Sequence, residues 1–516
     1  MDGDRSSQPS APTDSALGGG YPGYALFVLV LVYVFNFLDR QILSILNDHI
    51  KADLGLNDAQ MGFLFGTAFA VFYALFGIPL GRLADLWTRR SLIAIGLAFW
   101  SAMTAASGLA RNFAEIAIAR IGVGVGEASA SPAAYSLLSD YFPPARRATA
   151  MAVYSSGIYI GAGLGLMLGG QIVDRWDTAW AGTTAPFGLR GWQVAFFAVG
   201  LPGILLAIWV RTLREPARAS ATLTAAQIWR EFARELSSVI PPLTLMHLHG
   251  VGGTSAVTRN LVIAVVVAAA SWAMVAITGD GAQWSALGIG VYAAASWTQS
   301  LRLRHPQDAD IVVGNPTLRW IALGFGFLSF ASYGIGYWVA PFFLRAHGVS
   351  MSEVGLYVGG AAAAAGWVGV TAGGALADWW HQRSPYGRLY TGMLSAVLPF
   401  PLLLLMLTTE HKLVAYVANI PLTMTASLWI GAGISTVHDL VPARLRGVAG
   451  AAYLLVLTFV GLALGPYGMG KMSILLGGLR PAMLTGGAIG GTLGLLFLVL
   501  AWRSMNTSAT RDAAAR

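Results

Sequence analysis

GRLADLWTRR at residues 81–90 returns as GALADWWHQR at residues 374–383. A second pair follows the copies, PARRATAMA at 144–152 and PARLRGVAG at 442–450. Offsets of 293 and 298 residues mark one unit used twice. Around these loops lie apolar runs of roughly 20 residues, the length a helix needs to cross a hydrocarbon core. They fall near 24–47, 58–81, 91–110, 114–138, 148–172 and 192–211 in the first unit. In the second they fall near 317–344, 352–377, 388–408, 413–436, 447–470 and 481–502. Two further runs, 258–279 and 283–301, stand between the units and, with a linker, account for the long offset. The expected fold is an all-α integral membrane protein: two six-helix bundles plus two extra transmembrane helices between them, 14 spans in all.

Composition agrees with lipid as the solvent. Of 516 residues, 56% are hydrophobic and 11% charged, where a soluble chain carries about a quarter charged. The net charge of +8 sits in short clusters between apolar runs, with no basic stripe interleaved by aromatics, so nucleic acid is not an expected partner. The chain has no cysteine, which excludes disulfides, thiolate metal sites and cysteine nucleophiles. Neither a phosphate-binding loop nor a zinc-helix pattern occurs; no cofactor, metal or enzymatic activity is expected, and energy for any work must come from a gradient. Of the 32 lysines and arginines, 22 fall on the side shared by the termini, 8 on the other and 2 within spans, which makes the termini cytoplasmic. Arginine outnumbers lysine 29 to 3, as in a GC-rich bacterial genome.

The expected organisation is a flexible cytoplasmic N-terminus (1–23), a six-helix bundle (24–211), a cytoplasmic linker (212–257), two additional helices (258–303), a second six-helix bundle (317–503) and a cytoplasmic tail (504–516). In the linker, TAAQIWREFARELSSVI places Ile228, Trp229, Phe232 and Leu236 opposite Arg230, Glu231, Arg234 and Glu235. That pattern suits a helix at the membrane surface or one packed on the protein.

An ionisable group inside a bilayer costs roughly 2.5–3.5 kcal/mol even on lenient scales, so it usually lines a pathway or has a partner. Four such groups stand out: Asp39, Arg40, Arg120 and Glu127. On the first helix Tyr33, Asn36, Arg40, Ser44 and Asn47 form one polar stripe. Asp39 and Arg120 each lie about 12 Å below the outer end of their helices, and Glu127 roughly 10 Å deeper than Arg120. Asp39 is therefore expected to pair with Arg120 or Arg40, and Glu127, set apart from the arginines, to exchange a proton. A static ion-pair network that only fixes the helices is the plain alternative.

Two such halves joined by these loops resemble the major facilitator superfamily. Gly81, Asp85, Arg89 and Arg90, echoed by Gly374, Asp378 and Arg383, match its conformational-lock loop; Leu86 and Thr88 depart from the usual basic residue and glycine there. GIYIGAGLGLMLGG at 157–170 looks like the helix 5 antiporter motif of the family, with Leu166 in place of a proline. Close packing explains its glycines equally. NFLDRQILSIL at 36–46 and RIGVGVGEASASPAAYSLLSDYF at 120–142 are similar to the bacterial Spinster-like branch. That resemblance implies a secondary transporter in the inner (plasma) membrane, monomeric and proton-coupled, moving a sphingosine-phosphate or lysophospholipid type of amphiphile by alternating access. Tyr33, Asn36, Ser44, Ser131, Tyr333, Tyr337 and Trp338 are the expected substrate contacts. The other readings are a small organic-anion/proton symporter, a lipid scramblase or a transporter-like receptor.

Overall fold

In lipid every backbone polar group must find its partner within the chain, and helices do this locally. The computed structural model describes residues 20–216 and 224–514, and among them no strand occurs. Residues 1–19 of the expected N-terminal segment, 217–223 of the linker and 515–516 of the tail lie outside the described residues.

The first bundle comprises α1 (Tyr21–Ile45), α2 (Asp58–Leu86), α3 (Arg89–Ser107), α4 in two segments (Phe113–Glu127 and Ala130–Tyr141), α5 (Pro144–Ala179) and α6 (Gly191–Arg211). Then come α7 (Ala225–Val239), α8 (Leu243–Thr278) and α9 (Gly281–Arg304). The second bundle is α10 (Pro316–His347), α11 (Met351–His381), α12 (Gly387–Thr408), α13 (Lys412–Asp439), α14 (Ala443–Leu475) and α15 (Leu479–Thr507). Eleven of these are long and apolar enough to cross a membrane. Of the three others at expected span positions, α3 and α9 carry more polar residues, and α4 is broken into segments of 15 and 12 residues.

The first extra helix is preceded by a helical stretch that starts at Leu243. Its opening turns contain His247 and His249, which hydropathy alone rejects, and the axis breaks at Gly253, whose φ of 64° suits a residue without a side chain. The α7 helix packs its apolar stripe inward: Ile228 and Phe232 lie on the core, and the Trp229 ring sits 6.1 Å from that of Trp87 at the end of α2.

The α5 glycines serve two interfaces. Gly157, Gly161 and Gly165 back onto α1, where Gly161 faces the Val34 backbone and Phe37 Cβ too closely for any side chain. On the other face, Gly163 meets Gly359 of α11, across the boundary between halves. Small residues let helices approach to backbone contact where no hydrophobic force exists to press them together.

The halves are clamped together at the membrane face opposite the termini. Arg345 of α10 reaches across to Asp48 (2.5 Å), Asp58 (2.9 Å) and Asn47 (3.1 Å). Lys51 and Ser473 add bonds of 2.7 Å each to Asp58. Beneath this layer, Ser44 donates to the Tyr337 carbonyl (2.5 Å) and Asn47 to the Tyr337 hydroxyl (2.7 Å). At the terminal side, the ion pairs of Arg89 and Arg388 stay within their own halves. The described ion pairs between the halves thus gather on the far side. Replacing Arg345 by Ala leaves two carboxylates facing each other, a loss on the order of 2 kcal/mol and roughly thirtyfold in the closed-to-open ratio. In this naturally cysteine-free chain, Ser473→Cys is buried in the closed state; its labelling by an impermeant maleimide is expected to accelerate when Arg345→Ala is added.

Candidate functional site

Side chains on a helix lean toward its N-terminus. The N-terminus of α1 lies at the terminal side, so Arg40 leans back toward mid-membrane; α4 runs the other way, so Arg120 leans toward the far side. These directions decide the pairing. Arg40 Nε meets Glu127 Oε2 at 2.6 Å, with Glu127 fully buried and the Arg40 side chain 13% exposed. Arg120 Nη1 donates to the backbone carbonyl of Asp39 at 3.3 Å. The expected pairing is thus corrected: the Asp39 carboxylate forms no ion pair with Arg120 or Arg40, and Glu127 is not apart from the arginines but bonded to one. Depth counted from helix ends ignores the reach of an arginine directed down its own helix.

Around the pair stands an aromatic wall. The Arg40 guanidinium lies 4.3 Å from the Phe69 ring centroid, 4.8 Å from Phe37 and 5.0 Å from Tyr73. Aromatic faces attract a desolvated cation, and such contacts strengthen where water is scarce. Tyr33 stacks on Tyr154 at 4.4 Å and meets Phe37 edge-on at 5.3 Å. Asn36 is buried one turn from Arg40 and faces Glu127. Ser131 lies beside Tyr154, and Tyr333 of α10, 36% exposed, faces Arg40 from the second half.

Several buried polar atoms here have no protein hydrogen-bond partner: both Asp39 carboxylate oxygens, Arg120 Nε and Nη2, Glu127 Oε1 and Asn36 Oδ1. Unmet buried groups are costly and cluster where a ligand or a proton is handled. The Asp39 carboxylate lies alongside Trp100 and Thr104. The site can offer guanidinium donors to an anion, carboxylates to a proton and ring faces to an apolar tail.

The other expected contacts lie elsewhere. Ser44 and Tyr337 are engaged in the far-side clamp, with Phe65 against the Tyr337 ring at 4.3 Å. Trp338 is fully buried and donates to the Pro466 carbonyl at 2.8 Å within its own half. Tyr33, Asn36, Ser131 and Tyr333 are the ones brought to the charge cluster.

The repeated loops build a clamp at the terminal side. Arg89, fully buried, bonds Asp140 at 2.5 Å, Glu215 at 2.8 Å and Ser136 at 3.1 Å. Arg90 bonds the Leu213 carbonyl at 2.5 Å. In the second half the equivalent is Arg388, which pairs with Asp439, contacts the Ser435 carbonyl at 3.4 Å and reaches Asp378 at 3.4 Å. Both clamps span 51 residues. Arg383, the match suggested by the repeated string, instead lies 3.9 Å over Trp379 and bonds that residue's carbonyl. Extra residues in the second loop displace the basic group; the signal that finds it is Asp439 in STVHDLVPARLR, aligned with Asp140 in SLLSDYFPPARR. Gly81 lies near Pro132, and Gly374 has open space around it. Asp85 also makes a contact of its own.

Two helical halves of one design, a buried cluster of opposed charges and a far-side clamp between the halves define a carrier-type membrane transporter. The Major Facilitator Superfamily model matches residues 29–466, and the chain belongs to that superfamily. It is 25% identical over 449 residues to an MFS-type efflux pump of Mycolicibacterium smegmatis, covering 87% of this chain and 84% of the relative. It is 30% identical over 204 residues to a probable L-galactonate transporter of Escherichia coli (39% and 41% of the two chains) and 31% over 222 residues to human protein spinster homolog 1 (41% and 39%). A crystal structure of a bacterial homologue of the human lysosomal transporter Spinster, inward-facing and unoccupied, matches with a TM-score of 0.66 at 25% identity, covering 94% of this chain and 96% of that one. The Spinster likeness read from α1 and α4 thus holds across the fold.

Loss of a fully buried ion pair's partner costs about 3–5 kcal/mol, and of a surface one about 0–1. Thermal unfolding in detergent is therefore expected to fall most for Arg89→Ala, less for Arg388→Ala and least for Arg383→Ala. Equal losses at 388 and 383 would contradict the displaced-clamp assignment.

Proposed function

We propose that this chain is a proton-coupled secondary transporter that carries an amphiphile with an anionic head and an apolar tail, of lysophospholipid or sphingosine-phosphate type, by alternating access. The observation that carries this reading is the Arg40–Glu127 ion pair within an aromatic wall, beside Arg120 with two unmet guanidinium nitrogens. An anionic head arriving from the terminal side is attracted by Arg120 and competes with Glu127 for Arg40. Once Arg40 turns to the head group, Glu127 is a buried carboxylate without its cation and takes a proton. Substrate and proton then occupy the site together, and the opening of one side follows the closing of the other. Phe37, Phe69, Tyr73 and Tyr333 receive the tail, and Asp39 tunes the arginine pair from behind. With both termini on the cytoplasmic side of the inner membrane, as the charge bias favours, that entry is from the cytoplasm. One chain contains the whole site, so a monomer suffices.

A second reading, a small organic-anion/proton symporter, draws on the likeness to the galactonate transporter. Carboxylates suit the same arginines, but such a substrate leaves the aromatic wall without a role. Thermal shift in detergent separates the two: the amphiphile reading expects stabilisation by palmitoyl lysophosphatidic acid and none by galactonate.

In proteoliposomes with an imposed proton gradient, uptake of the stabilising ligand is expected to follow the gradient in the native chain. Glu127→Gln is expected to lose that gradient dependence while still exchanging substrate at equilibrium. Unchanged gradient-driven uptake in Glu127→Gln removes the proton role of Glu127. Asp39→Asn, which alters no ion pair, is expected to keep the coupling and change the apparent affinity.

A further inference from the structure

The extra hairpin, α8 with α9, lies along one seam between the halves for its full depth. At the far side, Thr67 of α2 contacts the Gln283 side chain at 2.7 Å and the Ala463 carbonyl of α14 at 2.9 Å. The threonine hydroxyl has one proton and donates it to either of these oxygens, Gln283 Oε1 or the Ala463 carbonyl. One buried bond set thus ties hairpin, first half and second half together. At the hairpin tip, Asp280 pairs with Lys471 at 2.8 Å and accepts from the Tyr467 hydroxyl at 2.8 Å. At mid-depth Gly290 nestles against Val71 of α2 and Phe459 of α14, which a Cβ there would meet at 3.0 and 3.1 Å. Toward the terminal side, Ala294 and Trp297 face Ala449, Tyr453 and Leu455 across an apolar cavity of about 180 Å³. Asp308, just past α9, bonds Arg444 at 2.5 Å. The outward face of α8 is apolar and exposed, with Val262, Val265, Val266, Trp272 and Ile277 directed away from the bundles. That face meets lipid, and α9 meets the seam.

The opposite seam differs. There α5 meets α11 directly through Gly163 and Gly359, through Gly170 against the Met351 backbone and through Gly355 against Leu166. Ile160 and Trp367 beside it are exposed. Contacts made by glycine backbones can part and slide with little loss of buried side-chain area.

We propose that the hairpin is a lateral screen: it closes the α2/α14 seam to the bilayer, so an amphiphile passing between lipid and the central site uses the α5/α11 seam. This rests on the amphiphile reading above. The absence of native cysteine allows a direct test in the full chain in phosphatidylcholine nanodiscs. Tyr159→Cys with Gly366→Cys spans the α5/α11 seam, where a Gly366 Cβ lies 3.6 Å from Tyr159 Cγ; Val71→Cys with Gly290→Cys pins the hairpin to α2 at the screened seam. Each pair is oxidised, then reduced, and binding of tail-fluorescent palmitoyl lysophosphatidic acid is timed. The expected result is a slowing of about tenfold or more for the oxidised 159–366 pair, reversed by reductant, and an unchanged rate for the oxidised 71–290 pair. Reversal by reductant shows that the slowed protein is folded. Slowing by the 71–290 disulfide, or by neither, overturns the screen while leaving the substrate reading intact. No binding to the uncrosslinked chain removes the substrate reading, and the route with it.

Discussion

Arg40 and Glu127 hold each other at 2.6 Å between two helices in the membrane interior, and most of what the molecule can do follows from the difficulty of separating them. Either charge left alone there costs several kcal/mol, whereas exchanging one partner for another of the same sign costs little. An anion can therefore displace Glu127 only if Glu127 is neutralised at about the same time. The proposed coupling needs no long-range signal. It is a local rule of charge balance, and the aromatic rings around Arg40 strengthen it by excluding water from the exchange.

The far-side clamp sets the opposing condition. Arg345 gathers Asp48, Asp58 and Asn47 from the first half, while Ser44 and Asn47 bind Tyr337 just beneath. Ser44 belongs to the same α1 stripe as Arg40, and Asn47 opens the short helix Asn47–Leu54 that follows it. A rotation of α1 that re-aims Arg40 thus shifts the clamp bonds as well, because a rigid helix carries both. The central charges and the outer closure are two ends of one element, which gives the two-state device that alternating access requires.

Much of this was legible in the sequence because it is local. Span positions depend on runs of apolar residues, the internal duplication on strings such as GRLADLWTRR, and the intramembrane charges on single residues that break those runs. What was not legible is what depends on direction and insertion. Glu127 was placed apart from the arginines by counting residues along two helices, yet Arg40 covers the gap because its side chain leans toward its own N-terminus. Arg388 was missed because the loop after α11 is longer than its counterpart, so matching letters put Arg383 in its place. The helical turns that lead into the hairpin from Leu243 to the break at Gly253 are hidden because His247 and His249 lower their hydropathy. Ser44 and Tyr337 look like cavity residues until the far-side clamp shows them bonded to each other across the halves.

The duplication also separates mechanics from chemistry. The terminal-side clamp survives in both copies, Arg89 with Asp140 and Arg388 with Asp439 at the same spacing of 51 residues. A structural lock must act on both bundles if they are to rock as rigid bodies, so both copies keep it. The central charges have no such need. Asp39, Arg40, Arg120 and Glu127 all belong to the first half, and the second half faces them with Tyr333. One charged wall is enough for the proposed joint binding of an anion and a proton, and a second would raise the burial cost without adding a partner. A polar but uncharged opposing wall suits a substrate bound to one half while the other moves past it, and movement past a bound ligand is what a carrier of this fold has to permit.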